Sequence, residues 1–118
     1  MSDNGWISLH RKLVDSPLFK NAQALQLWIY LLLKANHKAG KVVVGNSTIE
    51  VKRGQLLTGR KSLSKATGIQ ESKVERLLKL LKSEQQIDQQ TFTKYRLISI
   101  TNYEAHQEVS SKVNTKRS

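Results

Sequence analysis

The sequence predicts a mixed α+β fold on three observations. Apolar residues recur at helical spacing over 25–33 and again over 74–81. A glycine sits just ahead of the second of these stretches, where two helices meet at a turn. Short β-branched or alternating runs, which read as strands, lie over 41–51 and 87–100.

In chain order, Pro17 interrupts any helix running through Leu9 to Asp15. Asn21 then caps a helix expected over 22–36. Leu25, Trp28, Ile29, Leu32 and Leu33 form its stripe, while Leu27, Tyr30 and Leu31 add apolar surface on the other side. A helix apolar nearly all round is a buried core helix or meets a second partner, so Leu27, Tyr30 and Leu31 are candidate self-association residues. Lys41-Val-Val-Val and Thr48-Ile-Glu-Val flank Gly45-Asn46-Ser47 and predict a β-hairpin. Gln55 to Thr58 is expected to lead into a short helix, capped by Thr58.

Residues 58–100 carry the strongest pattern. The short helix holds Arg60, Lys61, Leu63, Lys65 and Ala66, and Gly68 ends it with a positive φ. A second helix over 71–85 buries Val74, Leu77, Leu78 and Leu81. Leu63, Ala66, Ile69, Val74 and Leu78 are expected to fix the angle between the two. Ile87 to Gln90 and Tyr95 to Ile100 then read as strands joined by Thr91-Phe-Thr-Lys94. Tyr95, Leu97 and Ser99 share one face of the last strand; Arg96, Ile98 and Ile100 share the other. Helix, turn, helix and hairpin make a winged helix-turn-helix, here with an extra N-terminal helical segment and hairpin. The expected domain covers 1–106. Residues 107–118, rich in Ser, Lys, Asn and Thr, read as a disordered tail or the start of a linker.

Charge suggests the partner. The chain has 118 residues, with 20 Lys and Arg against 9 Asp and Glu, for a formal net charge of +11. Such a surplus favours a polyanion, and nucleic acid first. Between Lys52 and Lys82 stand nine basic residues, opposed only by Glu71 and Glu75. Lys73, Arg76 and Lys79 recur every third residue on the second helix. Arg60, Lys61, Lys65 and Lys79 are expected to dock on phosphates, with Ser62 beside them. Gln70, Glu71, Ser72, Lys73 and Arg76 lie at the front of the recognition helix, where base edges are read. Gln70 has the geometry for adenine and Arg76 for guanine. Thr91, Thr93 and Lys94 place the wing against backbone or minor groove. The plainer reading of the same residues is a solvated basic face, with Glu75 and Lys79 as an ordinary i, i+4 pair.

Other functions find little support. There is no cysteine, hence no disulfide framework and no thiolate chemistry. His10, His37 and His106 are far apart and no carboxylate cluster accompanies them, so no metal, cofactor or enzymatic role is expected. Trp6 and Trp28 read as core aromatics. No signal peptide is visible, and the apolar run 27–33 is short of the ~20 residues that span a bilayer. A cytoplasmic protein without membrane contact is expected.

Trp6-Ile-Ser-Leu-His-Arg-Lys-Leu13, Asp15-Ser-Pro-Leu-Phe19 and Leu27-Trp-Ile-Tyr-Leu-Leu-Leu-Lys-Ala-Asn36 resemble the N-terminal domain of bacteriophage and prophage replication proteins. These are replisome organisers with a DnaD-like N-terminal domain. Val51 to Arg60, Gly68-Ile69 and Ile98 to Tyr103 are similar too, so the resemblance spans about residues 5–106. It implies a winged helix that binds replication-origin DNA, self-associates, or both, in primosome assembly in the bacterial host. It puts the recognition-helix role on 70–79 and the wing on 91–94. Gln70 stands where family members often have Ser. Family members usually continue into a domain that binds the helicase or its loader, which this sequence lacks; a fragment or a short protein without loading function is implied. A transcriptional regulator on the same fold and a pure oligomerisation module are the alternatives.

Overall fold

A computed structural model describes residues 6–103. The fold is mixed α+β, with three α-helices and two small antiparallel sheets. Ahead of the first helix come two short 3-10 turns, Arg11–Asp15 and Pro17–Lys20. Ser16 ends the first and caps the second: its Oγ accepts from the Leu18 N–H at 3.1 Å, while Pro17 fills the first position, where a missing N–H costs nothing.

Helix α1 spans Ala22–Lys34. The Asn21 Oδ1 caps it by accepting from the Ala24 N–H at 3.1 Å. It ends two residues short of the expected Asn36, because Asn36 is used elsewhere. Its N–H donates to the Gln55 carbonyl at 2.9 Å, and its carbonyl accepts from Gly54 N–H at 2.8 Å. Strands β1 (Gly40–Val44) and β2 (Ser47–Val51) pair from Gly40↔Val51 to Val44↔Ser47 around a turn of only Gly45 and Asn46. Gly45 takes φ 61° at the first turn position. Ser47 therefore lies in the strand rather than in the turn.

Gln55–Thr58 leads through Gly59 into the next helix as expected, but is itself a strand, β3. Its partner is β5 (Arg96–Ile100), in register Gln55↔Ser99 to Thr58↔Arg96. Local spacing gives no sign of a pairing made some forty residues downstream. The turn into β3 needs Gly54 at φ 81°, where a Cβ would stand 2.7 Å from that of Tyr103. β4 (Ile87–Thr91) pairs with the other edge of β5, giving the order β3-β5-β4.

Helix α2 spans Arg60–Thr67 and helix α3 spans Glu71–Ser83. Thr58 does not cap α2; it sits in β3, and the cap position falls to Gly59, without a side-chain bond. Gly68 stops α2 in the left-handed conformation, φ 79°, its N–H returning to the Ser64 carbonyl at 2.8 Å. Ser64 Oγ donates to Ile69 O at 2.5 Å and Thr67 Oγ1 donates to Leu63 O at 2.7 Å, so hydroxyls bind the turn together. Ala66 is exposed and has no part in that packing. Helix α3 stops before the expected Gln85, which instead adopts φ 61° as the chain reverses into β4.

The core gathers Leu27, Leu31 and Leu32 of α1, Leu63 of α2, Ile69, Val74, Leu78 and Leu81 around α3, and Ile98 of β5. Trp28 joins it, but Trp6 is 87% exposed and is not a core aromatic. Its neighbour Ile7 packs on the core instead. Leu27 and Leu31 are fully buried in the chain's own core, which removes both from any self-association surface. Tyr30 is half-buried against the same cluster. The outward apolar residue of α1 is Leu33, 56% exposed. The expected tail and His106 lie outside the described residues.

Candidate nucleic-acid interface

Helix α3 divides its charges by flank. Val74, Leu77, Leu78 and Leu81 are buried, as the helical period requires. Ser72, Arg76 and Lys79 project from the opposite side and are exposed; Lys73 is half-buried beside them. Gln70 stands exposed at the helix start, a cap without a side-chain bond.

Glu71 and Glu75 turn to the other flank, and two arginines neutralise them there. Arg96 of β5 grips Glu75 with both ends of its guanidinium: Nη1 donates to Oε2 at 3.1 Å and Nη2 to Oε1 at 2.5 Å. The pair is partly sheltered, with side chains 13% and 27% exposed. Arg60 of α2 approaches Glu71 Oε1 at 3.3 Å and Glu75 Oε1 at 4.0 Å. The hydrogen bond from Arg96 holds the Glu75 carboxyl below the ordinary value of 4.5, against the opposing effect of burial; the charges of Arg96, Arg60 and Lys79 add to it. The bidentate geometry also ties α3 to β5, which fixes how far the helix stands off the sheet.

This arrangement reassigns three expected roles. Arg60 is committed to the two glutamates rather than held out for a phosphate. Glu71 faces Arg60 and not a base edge. Glu75 is taken by Arg96, so the expected Glu75–Lys79 pair gives way to a shorter and better-sheltered one. Arg96 itself was missed as a site residue. The signal was present: alternation put a guanidinium on the same strand face as the buried Ile98 and Ile100, and an inward charge needs a partner.

The loop between β4 and β5 carries Thr93 and Lys94 exposed at its tip. Phe92 and Tyr95 stack inside it, ring centroids 4.8 Å apart. A groove of about 370 Å³ runs from this loop to the start of α2, and brings Lys61 and Ser62 together with Thr93 and Lys94. Lys65 is exposed one turn further along α2, outside the groove walls, as are the α3 cations.

The histidines do other work. His10 Nδ1 accepts from the Lys12 N–H at 3.1 Å and caps the first 3-10 turn. His37 Nδ1 lies 3.0 Å from the Tyr103 hydroxyl. Among the described residues no group of three or more His, Cys, Asp or Glu is placed to hold a metal ion, and no helix is long and apolar enough to cross a membrane. Neither a family model, nor a curated protein, nor a solved structure matches the chain.

Proposed function

We propose that the protein binds double-stranded DNA as a winged helix-turn-helix, with α3 as recognition helix. The order α1, β3, α2, α3, β4, loop, β5, with β5 central in its sheet, supports that fold. One observation carries the DNA reading. The outward flank of α3 is open to solvent and free of acid, because both glutamates are turned aside and paired.

In this reading Lys61, Lys65 and Lys79 meet phosphates, which supply affinity and set register. Gln70, Ser72, Lys73 and Arg76 meet base edges in the major groove. Thr93 and Lys94 flank the site from the wing. Arg60 and Arg96 act at one remove, keeping Glu71 and Glu75 from the DNA phosphates. The resemblance to phage replication proteins supports a replication origin as the DNA.

An electrophoretic shift assay tests the reading. Arg76→Ala should cost about 1–3 kcal/mol in binding and relax the sequence preference at one base pair. Unchanged affinity and preference would rule out Arg76 as a reader. Footprinting on the genome that encodes the protein should protect repeats in an origin; protection of a promoter operator would give a transcriptional regulator instead.

A further inference from the structure

The β4–β5 loop is not a plain polar wing. Phe92 donates its N–H to the Tyr95 carbonyl at 2.8 Å, and their rings stack with planes 30° apart. The stack leaves Phe92 45% exposed in the loop. The pair forms a rib between two grooves. One, of about 370 Å³, reaches the start of α2; the other, of about 410 Å³, reaches the Gly45-Asn46 turn of the first hairpin. Both fall within the ~300–1,000 Å³ typical of small-molecule sites. No Asp or Glu lines either groove, whereas Lys61 and Lys94 line the first and Lys94 the second. Helix α2 opens into the first groove at Gly59, without a side-chain cap and with no acid in its first turn.

An exposed ring beside cations, with the nearby carboxylates of Glu71 and Glu75 neutralised by Arg60 and Arg96, suits stacking of a nucleobase. In a duplex the base faces are hidden inside the stack. Only an unpaired base presents its face to a protein ring. We infer that the wing is a second binding element, for unpaired nucleotides. One base stacks on Phe92, and its neighbouring phosphates reach Lys61 and Lys94. The inference goes beyond the duplex reading and does not depend on it: Lys61 and Lys94 would serve either form of nucleic acid, while Phe92 engages only the unpaired one and α3 only the duplex.

Fluorescence anisotropy with three labelled probes tests this at about 50 mM salt, where phosphate contacts are strong. The probes are a thymidine strand and a uridine strand of roughly twelve nucleotides, within the site sizes of single-strand binders, and a duplex. The wild-type chain should bind at least one single strand, and whichever strand binds identifies the sugar accepted. Phe92→Ala should weaken that binding about tenfold more than it weakens duplex binding, while Phe92→Trp keeps it. Lys61→Ala, an exposed change that leaves the loop intact, should lower the single-strand salt slope by about 0.7. Arg76→Ala should do the reverse of Phe92→Ala and weaken the duplex more. Should Phe92→Ala lose its thermal transition, Phe92→Leu, which keeps an apolar side chain without a ring face, takes its place in the comparison. The inference is overturned if the wild type binds neither strand, or if Lys61→Ala leaves the slope unchanged. In a folded Phe92→Ala, equal losses for both nucleic-acid forms, or a loss confined to the duplex, would also overturn it; the latter marks Phe92 as a minor-groove wedge. Single-strand binding without duplex binding would remove the duplex reading alone.

Discussion

Glu75 shows how one side chain sets the charge of a face. Had it paired with Lys79 on its own helix, a negative charge would stand among the cations that the proposed function puts against DNA. Arg96 draws it to the opposite flank, with Arg60 behind it. Removing the guanidinium in Arg96→Ala leaves a sheltered carboxylate without its donor, which should cost about 1–3 kcal/mol in urea unfolding at neutral pH. The pH dependence follows from the same pair. The folded-state pKa of Glu75 lies below the ordinary 4.5, so its contribution is present above that value and is lost as pH falls through the folded one. Wild type and Glu75→Gln should therefore differ in stability at pH 7 and converge in acid; a gap unchanged at pH 3 would show that the carboxylate charge is not what stabilises. Arg60 offers a contrasting test. Its charge is already matched by Glu71, so Arg60→Gln should weaken duplex binding less than Lys79→Ala in the same anisotropy titration.

Turns and helices differ in how far local sequence specifies them. Gly68 is specified outright: an α2 that must stop and reverse within three residues needs a left-handed position, and only glycine takes it without strain. Gly68→Ala should lower stability by about 1–2 kcal/mol, read as a fall in melting temperature with both helices kept in circular dichroism. The stripe of α3 and the alternation of β5 were equally legible, because each residue there faces the same neighbours along the element. What escaped the sequence depends on partners far along the chain. β3 is a strand only because β5 lies beside it, and α1 ends early only because Asn36 bonds to Gly54 and Gln55. The candidate site divides the same way. Exposure of Ser72, Arg76 and Lys79 follows from helical period, but the withdrawal of Arg60 and Glu71 rests on a contact between two helices. Leu27 and Leu31 looked spare on a wheel because a single helix does not reveal how many sides it buries. They are core residues, so Leu31→Ala should cost about 2–5 kcal/mol.

At the scale of the whole molecule, a net charge of +11 on 118 residues would attract any polyanion, and attraction alone is no evidence of a docking face. What distinguishes a face from diffuse charge is how many cations act together and whether particular ones matter. Each phosphate neutralised at the interface releases counterions, so log K for the duplex should fall linearly with log salt, with a slope near 0.9 per contact. The proposed reading puts Lys61, Lys65 and Lys79 on phosphates, with Lys94 beside them on the wing, all exposed and spread over α2, α3 and the β4–β5 loop. Lys79→Ala, which alters an exposed side chain, should reduce the slope by about one and weaken binding equally for all sequences. Lys20→Ala removes the same charge from a 3-10 turn at the other end of the fold's order, and should leave the slope as it was. If both variants reduce it equally, the positive charge acts only as a diffuse cloud and α3 is not where the duplex sits.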